Sequence, residues 1–418
     1  MDSLGGRDSR RGWLVVWILF INLAVIYGAW YSYAVFLVAL VKEFAWSRSI
    51  VSGGFSLFVM VHGSLGPLSG WLAGRVGARR LILVGGCLVG IGLLLAAQVQ
   101  AWWQLYLAFG VVTALGIGLS GWIPTVLITR GWFPERVGTA VGVVSAGIGV
   151  GIAGLVPLAQ VLIEWCGWRW TYRILGILIA GWVVPATFFL VKDPPPEGPG
   201  TASGPAAIEG NAAAAAHWTL ATAVRDGRFW ALAGVFFSGN VATQMLLVHQ
   251  VAYLVGHGVS PLAAAAVGTA VGLASIVGKM VWGAMSDRSG REVAYSLAFS
   301  CTAASVGALA LAGAYPATLL PYLYGILMGL GYAGTAPLTP AAASDLFRGP
   351  GFSMIFGTLH FVLTIGAAAG SWGAGKFFDW TGSYALALVM GLIASLVAPA
   401  LMWVAAPRRP HPPPARTG

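Results

Sequence analysis

Lys279 is the single cation inside the apolar part of the stretch from Val267 to Arg291. An ammonium near the middle of a membrane-spanning helix costs about 2.5–3.5 kcal/mol, so such residues are rare and usually face a polar cavity. The alternative is a lysine whose stem reaches back to the membrane surface. Lys279 lies eight residues before Asp287, about 12 Å inside the expected helix end. We therefore expect Lys279 to face a polar path, where an ammonium can bind an anion.

Several other polar side chains also lie within apolar runs. They are His62, His249, His360, Asn240 and Gln244. The alternative for each is a hydrogen bond that joins two helices. Histidine also titrates near neutral pH, so the three histidines are candidates for a proton or gating role. No Asp or Glu falls within the expected spans, so proton coupling would have to use Lys279, a histidine or the carboxylate of the substrate.

The composition excludes a water-soluble protein. The chain has 418 residues, of which 58% are hydrophobic and only 9% charged, whereas soluble domains carry about 25% charged residues. The net charge of +10 does not indicate nucleic-acid binding, because the cations lie in short loops between apolar runs. The three cysteines form no disulfide or metal pattern, and we find no P-loop, catalytic triad or metal-ligand cluster. We expect a membrane protein that is not an enzyme and has no cofactor or metal.

Twelve apolar segments are long enough to span a bilayer. They lie near residues 13–40, 49–72, 80–100, 104–130, 137–163, 171–191, 229–255, 261–285, 293–314, 317–343, 351–375 and 383–405. The first is too long for the apolar part of a signal peptide, so we interpret it as a span. The sequence predicts an all-α polytopic membrane protein with twelve transmembrane helices.

The segments fall into two groups of six. We expect an N-terminal bundle over residues 1–191 and a C-terminal bundle over 229–405. Between them, 192–228 is rich in Pro, Gly and Ala and is typical of a linker; its last part, Trp218 to Arg228, could form a short interfacial helix. The tail, 406–418, has the composition of a disordered segment.

The basic residues predict the orientation. With the N-terminus in the cytoplasm, 17 of the 23 Lys and Arg residues lie on the cytoplasmic side, 5 lie outside, and Lys279 lies in the membrane. Cytoplasmic loops are enriched in Lys and Arg. We therefore expect a multi-pass protein of the inner (plasma) membrane with both termini in the cytoplasm.

The two groups of spans repeat a loop motif. Gly70 begins GWLAGRVG and Gly283 begins GAMSDRSG, 213 residues later. Gly138 and Gly351, in the loops after spans 4 and 10, have the same separation. Such duplication predicts two pseudo-symmetric six-helix bundles, which is typical of a transporter with its site at their interface.

These loops resemble the signature of the major facilitator superfamily between spans 2 and 3, G-x-L-a-D-R-x-G-R-[KR]. The copy from Gly283 to Arg291 fits well, whereas Gly74 stands where the first copy should have its acid. In that family the acid joins a charge relay that stabilises one open state. The resemblance therefore implies conformational roles for Asp287 and Arg288, and for Arg75 and Arg136 in the first half, with Asp287 carrying more of the relay.

Two more stretches narrow the resemblance. Residues 27–49 (YGAWYSYAVFLVALVKEFAWSRS) and 132–136 (WFPER) with GTAVGVVSAGIGVG are similar to the monocarboxylate transporters and the related oxalate–formate exchangers. That branch places Arg at the position of Lys279, so the charge is kept but the two-pronged donor is lost. The exchangers also have a cation in span 11, whereas Phe352 to Gly375 contains no Lys or Arg, which argues against a dianion.

The resemblance also implies a set of substrate-lining residues. Aligning the motifs brings Tyr31, Trp122 and Tyr332 to positions where relatives have lining aromatic residues, although many of the 19 Trp residues would serve only packing. With Lys279, we take Asn240, His249 and His360 as the other candidates for substrate binding.

Three functions remain open at this point. The first is a monocarboxylate carrier of the lactate or pyruvate type, coupled to protons and working by alternating access as a functional monomer in the lipid bilayer. The second is an organic-anion exchanger without net proton movement. The third is a membrane sensor or an efflux pump for hydrophobic compounds, which would not respond to carboxylates.

Overall fold

The computed structural model describes residues 2–133, 137–192, 218–347 and 351–405, and these residues are helical without any strand. In the first half the helices are Asp2–Tyr31, Tyr33–Phe44, Arg48–Ser64, Gly66–Val76, Ala78–Ala96, Trp102–Leu105, a π-helix Tyr106–Thr113, Ala114–Ser120, Trp122–Trp132 and Val137–Phe189. After the short helix Leu220–Ala223, the second half contains Gly227–Gly256, Pro261–Ser289, Arg291–Ala314, Leu320–Ala333, Thr335–Leu346, Phe352–Thr381 and Ala385–Ala405.

These helices form twelve membrane spans. Within the described ranges, nine helices are long and apolar enough to cross a bilayer alone, and the bent pair Arg48–Ser64 and Leu68–Val76 makes ten. The helix Val137–Phe189 has 53 residues, but Gly167 interrupts it with φ 81° and ψ 160°. At 1.5 Å per residue it would be about 80 Å long, more than twice a bilayer core, so it contains spans 5 and 6. Leu320–Leu346, broken at Gly334, is span 10, which confirms the predicted all-α fold.

The part of the linker that is described differs from the expected interfacial helix. Only Leu220–Ala223 is helical, Asp226 caps the next helix through the N–H of Arg228, and span 7 begins at Gly227. Trp218 is buried against Phe347 at a ring distance of 5.1 Å, so this short segment packs on the second half of the molecule. The remainder of the predicted linker and the predicted tail lie outside the described residues, and the proposed boundaries stay predictions.

The internal repeat extends to backbone conformation. Gly77 joins spans 2 and 3, and Gly290, 213 residues later, joins spans 8 and 9. Both have a positive φ, of 90° and 97° respectively. A side chain at such a φ would be strained, so glycine is required at the same point in both halves. The breaks in span 4 at Gly121 and in span 10 at Gly334 have the same separation. The two halves therefore repeat in structure as well as in sequence.

The helix ends form two faces of the bundle. One end of the bundle contains the start of the first helix, the loops near Gly77 and Gly290, and the end of the last helix at Ala405. We call this end the basic face. The end with Ala45 and Gly382 is the opposite face. On the opposite face Arg169 forms an ion pair of 2.8 Å with Glu43, and on the basic face Arg291 bonds to Asp345 at 2.9 Å. Both pairs join helices within one half.

The two halves of the chain are in contact toward the opposite face and separate toward the basic face. Span 2 packs on span 11 and span 5 packs on span 8. In contrast, the helices Gly66–Val76, Trp122–Trp132 and Thr335–Leu346, which run to the basic face, make their main contacts within their own half. The interface between the halves is therefore a cleft that is closed at the opposite face and open at the basic face.

Candidate substrate site

Lys279 lies on the side of span 8 that faces the first half. Gly268 and Gly272, on the same helical face, pack against Val156 and Gly149 of span 5. Side chains on the other side of the helix, Leu273, Val277 and Met280, are exposed by 53%, 54% and 72%, as expected for a surface that contacts lipid tails. Helical geometry thus places Lys279 away from the lipid surface.

The depth of Lys279 coincides with the end of the contact between the halves. Ile276, one turn before it, would meet a Cβ on Gly149 at 2.4 Å. Farther along span 5 toward the basic face, a Cβ on Gly142 would meet nothing within 4 Å. Lys279 therefore lies at the inner end of the cleft.

The ammonium of Lys279 has no fixed counter-charge among the described residues. The three ion pairs found there join Arg169 to Glu43 and Arg291 to Asp287 and Asp345. Lys279 is half-buried, and its Nζ is not among the fully enclosed polar atoms that lack a partner. This nitrogen is thus a cation that remains accessible to a ligand from the cleft.

Tyr332 of span 10 approaches span 8 one turn before Lys279, and Tyr31 of span 1 lies near Tyr332. The Tyr332 side chain is 8% exposed, and its hydroxyl lies near Ser275 on span 8 but forms no hydrogen bond of ordinary geometry. Tyr31 is close enough to Tyr332 to interact electrostatically. A buried hydroxyl without a partner is costly, so the site has hydrogen-bonding capacity that a ligand could use.

The three candidate aromatic residues all lie at breaks in their helices. Tyr31 precedes the break at Ser32, Trp122 follows Gly121, and Tyr332 lies two residues before Gly334. Broken spans in transporters commonly surround a substrate site near the middle of the membrane, because they free backbone groups and allow bending. Trp122 itself is 38% exposed, and the structure gives it no contact with Lys279.

Span 7 contributes two polar residues to the boundary between the halves. Gln244 lines a small cavity together with Tyr31 and Val248, and its buried Oε1 accepts no hydrogen bond from the part of the chain that the structure describes. Asn240 is one turn away, and its Nδ2 donates to the carbonyl of Phe236 in its own helix at 3.1 Å. Gln244 is therefore the better placed of the two for contact with a ligand.

His249 belongs to a cluster near the opposite face and is not beside Lys279. Its Nε2 lies 2.9 Å from the Ser371 carbonyl and its Nδ1 lies 2.9 Å from the Tyr384 hydroxyl. The carbonyl can only accept, so in the neutral ring Nε2 carries the hydrogen and Nδ1 accepts from Tyr384. Both ring nitrogens are occupied, which favours a role in closing the cleft over direct binding of a substrate.

The same cluster contains an inter-half contact that sequence reasoning missed. The Asp379 carboxylate, at the end of span 11, accepts hydrogen bonds of 3.0 Å from the backbone N–H groups of Arg48 and Ser49. These are the first N–H groups of span 2, which lack partners within their own helix. The Arg48 guanidinium also lies 3.6 Å above the Phe378 ring. A carboxylate from one half thus caps a helix of the other.

We expect Asp379→Ala to weaken closure at the opposite face. Loss of a helix cap costs about 1 kcal/mol, which corresponds to about a fivefold change in a two-state population. The purified variant should therefore label faster than the parent at a cysteine placed within the interface of spans 2 and 11. Glu164→Ala, which removes a carboxylate hydrogen bonded only to Gln160 of its own helix, is the control. Equal labelling of both variants would exclude the cap as a closing contact.

On the basic face, Arg291 forms a charge relay in the second half. It bonds to Asp287 at 2.8 Å, to Asp345 at 2.9 Å and to the Ser286 hydroxyl at 2.6 Å. The positions 213 residues earlier than Asp287 and Arg291 hold Gly74 and Ala78, so the first half lacks this network. The relay thus includes Asp345, which the loop motif alone does not reveal.

The other predicted conformational residues have simpler surroundings. Arg288 is exposed at the end of span 8. Arg75 stacks on Trp71 of its own helix, at 4.2 Å from the ring centre. Arg136 lies outside the described residues. Their roles in switching between states stay predictions.

The chemistry available at the inner end of the cleft is binding and not bond breaking. One accessible ammonium, two tyrosines and an amide can hold a small anion by charge and hydrogen bonds. No group of His, Cys, Asp and Glu in the described ranges has the spacing of a metal site, and the three cysteines are free thiols.

Comparison with known proteins identifies the family. A profile of the Major Facilitator Superfamily matches residues 19–349 and 251–418. Monocarboxylate transporter 13 of Bos taurus is 28% identical over 391 residues, covering 92% of this chain and 86% of its own length. The protein of that name from Rattus norvegicus is 26% identical with the same coverage. Monocarboxylate transporter 4 of Gallus gallus is 32% identical over 195 residues, 45% of this chain and 40% of the relative. The chain therefore belongs to the major facilitator superfamily, as a multi-pass membrane transporter similar to the monocarboxylate transporters and not an enzyme.

Proposed function

We propose that this transporter moves small monocarboxylates of the lactate or pyruvate type together with a proton, by alternating access between the two faces. The observation that carries the proposal is Lys279, a cation on the cleft side of span 8 without a fixed carboxylate partner in the described part of the chain. A carboxylate that enters the cleft supplies the missing counter-charge.

The single positive charge of Lys279 inside the spans matches the single negative charge of a monocarboxylate. Within the described spans no other Lys or Arg lies near the depth of Lys279, and the sequence from Phe352 to Gly375 of span 11 contains neither. A dianion would leave one negative charge uncompensated in a low-dielectric cavity, which is costly. The names of the relatives, monocarboxylate transporters 13 and 4, support the same substrate class.

The geometry of the cleft supports alternating access. The substrate enters from the basic face, reaches Lys279, and leaves after the halves rock about this central position. This requires the contacts of span 2 with span 11 and of span 5 with span 8 to separate. We place the basic face in the cytoplasm, in a plasma membrane, because most of the basic loop residues lie there, and we propose a functional monomer.

Transport into proteoliposomes tests the proposal. Lactate added outside vesicles that contain a trapped pH indicator should acidify the interior faster than in protein-free vesicles, because each carboxylate brings a proton. Protein-free vesicles correct for diffusion of undissociated lactic acid. Counterflow that depends on internal substrate and causes no acidification would instead identify an anion exchanger. Absence of any stabilisation by carboxylates in a thermal-shift screen would favour a pump for hydrophobic compounds.

A further inference from the structure

His62 and His360 lie on opposite sides of the interface between the halves. Spans 2 and 11 run antiparallel, and their contacts define the register. Gly375 lies against Ser52, the Ser56 hydroxyl donates to the Ala368 carbonyl at 2.8 Å, and Gly63 packs on Thr364. His62 directly precedes Gly63, and His360 lies one helical turn from Thr364, so the two imidazoles are close enough to interact electrostatically.

The His62 ring is held in place but not fully hydrogen bonded. It packs edge-on against Trp30 at a centroid distance of 4.7 Å and stacks on Phe58 at 6.2 Å. Its buried Nδ1 has no hydrogen-bond partner among the described residues, and the same is true of the Trp30 indole N–H. On the other side, the His360 ring lies 6.2 Å from the Phe356 ring. The imidazole of His62 can therefore accept a proton or a hydrogen bond without losing an existing one.

The internal repeat places the pair at nearly the depth of Lys279. The residue equivalent to Lys279 in span 2, by the 213-residue separation, is Gly66. His62 precedes Gly66 by one helical turn, about 6 Å along the axis. Because the two halves are related by an axis along the membrane normal, the histidine pair lies across the cleft from Lys279 and slightly nearer the opposite face.

No carboxylate compensates a charge at this level of the described structure. Trp30, which packs on His62, is itself stacked between Tyr27 and Tyr31 of span 1, and His360 is the titratable group that interacts with His62 directly. The neighbouring helices contribute uncharged residues here. Gly118 of span 4 packs against Leu65, and Phe236 of span 7 packs against Phe356. On span 2 the charges nearest to His62 in sequence are Arg48 and Arg75, each about 20 Å along the helix. Along the described part of span 11 the nearest is Lys376, about 24 Å from His360.

We propose that His62 and His360 together form the proton-binding site of the transporter, which takes up one proton when the carboxylate binds to Lys279. The assignment rests on the function proposed above. A proton from water in the cleft binds to one imidazole, and the other ring remains neutral because two adjacent cations repel each other. The proton returns to water after the cleft opens to the other face.

This arrangement couples proton and substrate without an acidic residue. A carboxylate at Lys279 lowers the energy of a positive charge across the cleft, and the protonated pair increases the affinity for the carboxylate by the same factor. Lys279 must stay an ammonium to hold the substrate, so it does not suit release of the proton in each cycle. The histidines can gain and lose a proton while the ammonium keeps its charge.

The test measures lactate binding to the purified protein between pH 5.5 and 7.5 by calorimetry. If one proton binds with each substrate, the apparent affinity of the parent for lactate should fall by about tenfold for each unit that the pH rises, over the range where the pair titrates. In the double variant His62→Gln/His360→Gln the change over the whole range should be less than about twofold. Each single variant should lose part of the dependence, because one histidine remains.

A matched control and a second readout separate this role from packing. His257→Gln changes a histidine near the opposite face whose Nδ1 lies 2.8 Å from the Tyr253 carbonyl, and it should keep the pH dependence of the parent. In vesicles, the double variant should still exchange lactate for lactate, which needs no net proton movement, but should no longer accumulate lactate along a pH gradient.

Two results would count against the inference in different ways. If the parent shows proton-coupled uptake and the double variant keeps both this uptake and the pH dependence, the histidine pair is not the proton site, although the proposed function stands. If the parent itself neither binds carboxylates nor moves protons with them, the proposed function fails.

Discussion

Lys279→Gln should abolish carboxylate binding while the protein still folds. The variant keeps a polar side chain of similar length but removes the charge, and loss of one partner of a desolvated ion pair costs about 2–5 kcal/mol. The dissociation constant for lactate should thus rise by on the order of 100-fold or more. Stability in detergent should be equal or higher, because the half-buried ammonium has no counter-charge in the described structure. Calorimetric titration and thermal unfolding of the purified variant measure both effects.

Two other substitutions sharpen this result. Lys279→Arg keeps the charge and supplies a planar fork that matches a carboxylate, so binding should stay within about tenfold of the parent. Lys376→Gln removes a lysine of the second half that stacks on Trp380 at 5.1 Å, far from the cleft, and should leave binding unchanged. Lactate affinity in Lys279→Gln equal to that of the parent would reject Lys279 as the anion site.

Gly149→Leu should trap the transporter away from the conformation described here. A Cβ at Gly149 would lie 2.4 Å from Ile276 Cγ1 and 2.8 Å from the Gly272 carbonyl oxygen, and a Cβ at Gly272 would lie 2.5 Å from the Gly149 carbonyl oxygen. Backbone atoms cannot move aside, so the larger residue must push spans 5 and 8 apart. Overpacking costs about 1–3 kcal/mol, enough to shift the population of a closed opposite face by about fivefold to more than a hundredfold.

The shift can be measured with a reporter in the sealed interface. A Ser56→Cys substitution, in a background that lacks Cys87, Cys166 and Cys301, places a thiol between spans 2 and 11. Maleimide should react faster with this thiol when Gly149→Leu is present, and lactate transport should fall by about tenfold or more, in keeping with the same packing cost.

Gly154→Leu is the matched control for the Gly149→Leu substitution. It lies five residues farther along span 5, where a Cβ would meet nothing within 4 Å. The control should label and transport like the parent. If Gly149→Leu labels no faster than Gly154→Leu and transports equally well, the contact between spans 5 and 8 does not close the opposite face.

The spans and their division into two repeated halves could be predicted from local signals. Each span is a long apolar run, and a bilayer leaves the backbone little choice except helix. The repeat was visible in the matched loop motifs that begin at Gly70 and Gly283, and the structure explains the last glycine of each, Gly77 and Gly290, by a positive φ. The unusual cost of a charge in the membrane likewise singled out Lys279 before its surroundings were known.

Contacts between distant residues had no such signal. Asp379 and Arg48 are 331 positions apart, and the hydrogen bond between them uses the backbone N–H of Arg48. Because any residue except proline has this group, the type of residue 48 does not predict the contact. Asp345 is an ordinary loop-end acid in the sequence, and only the fold brings it to Arg291. His249 was a candidate for the substrate site, but the structure directs both of its ring nitrogens to the opposite-face cluster.

A twelve-span, duplicated membrane protein with one intramembrane cation follows from the order of residues alone, because hydrophobicity, glycine and charge act locally and are visible residue by residue. Which side chains share the cleft, and which face is closed, follow from the packing of the helices in three dimensions. Those properties depend on how two helices approach each other: where glycines allow contact, as between spans 5 and 8, the halves seal, and beyond that contact the cleft opens beside Lys279.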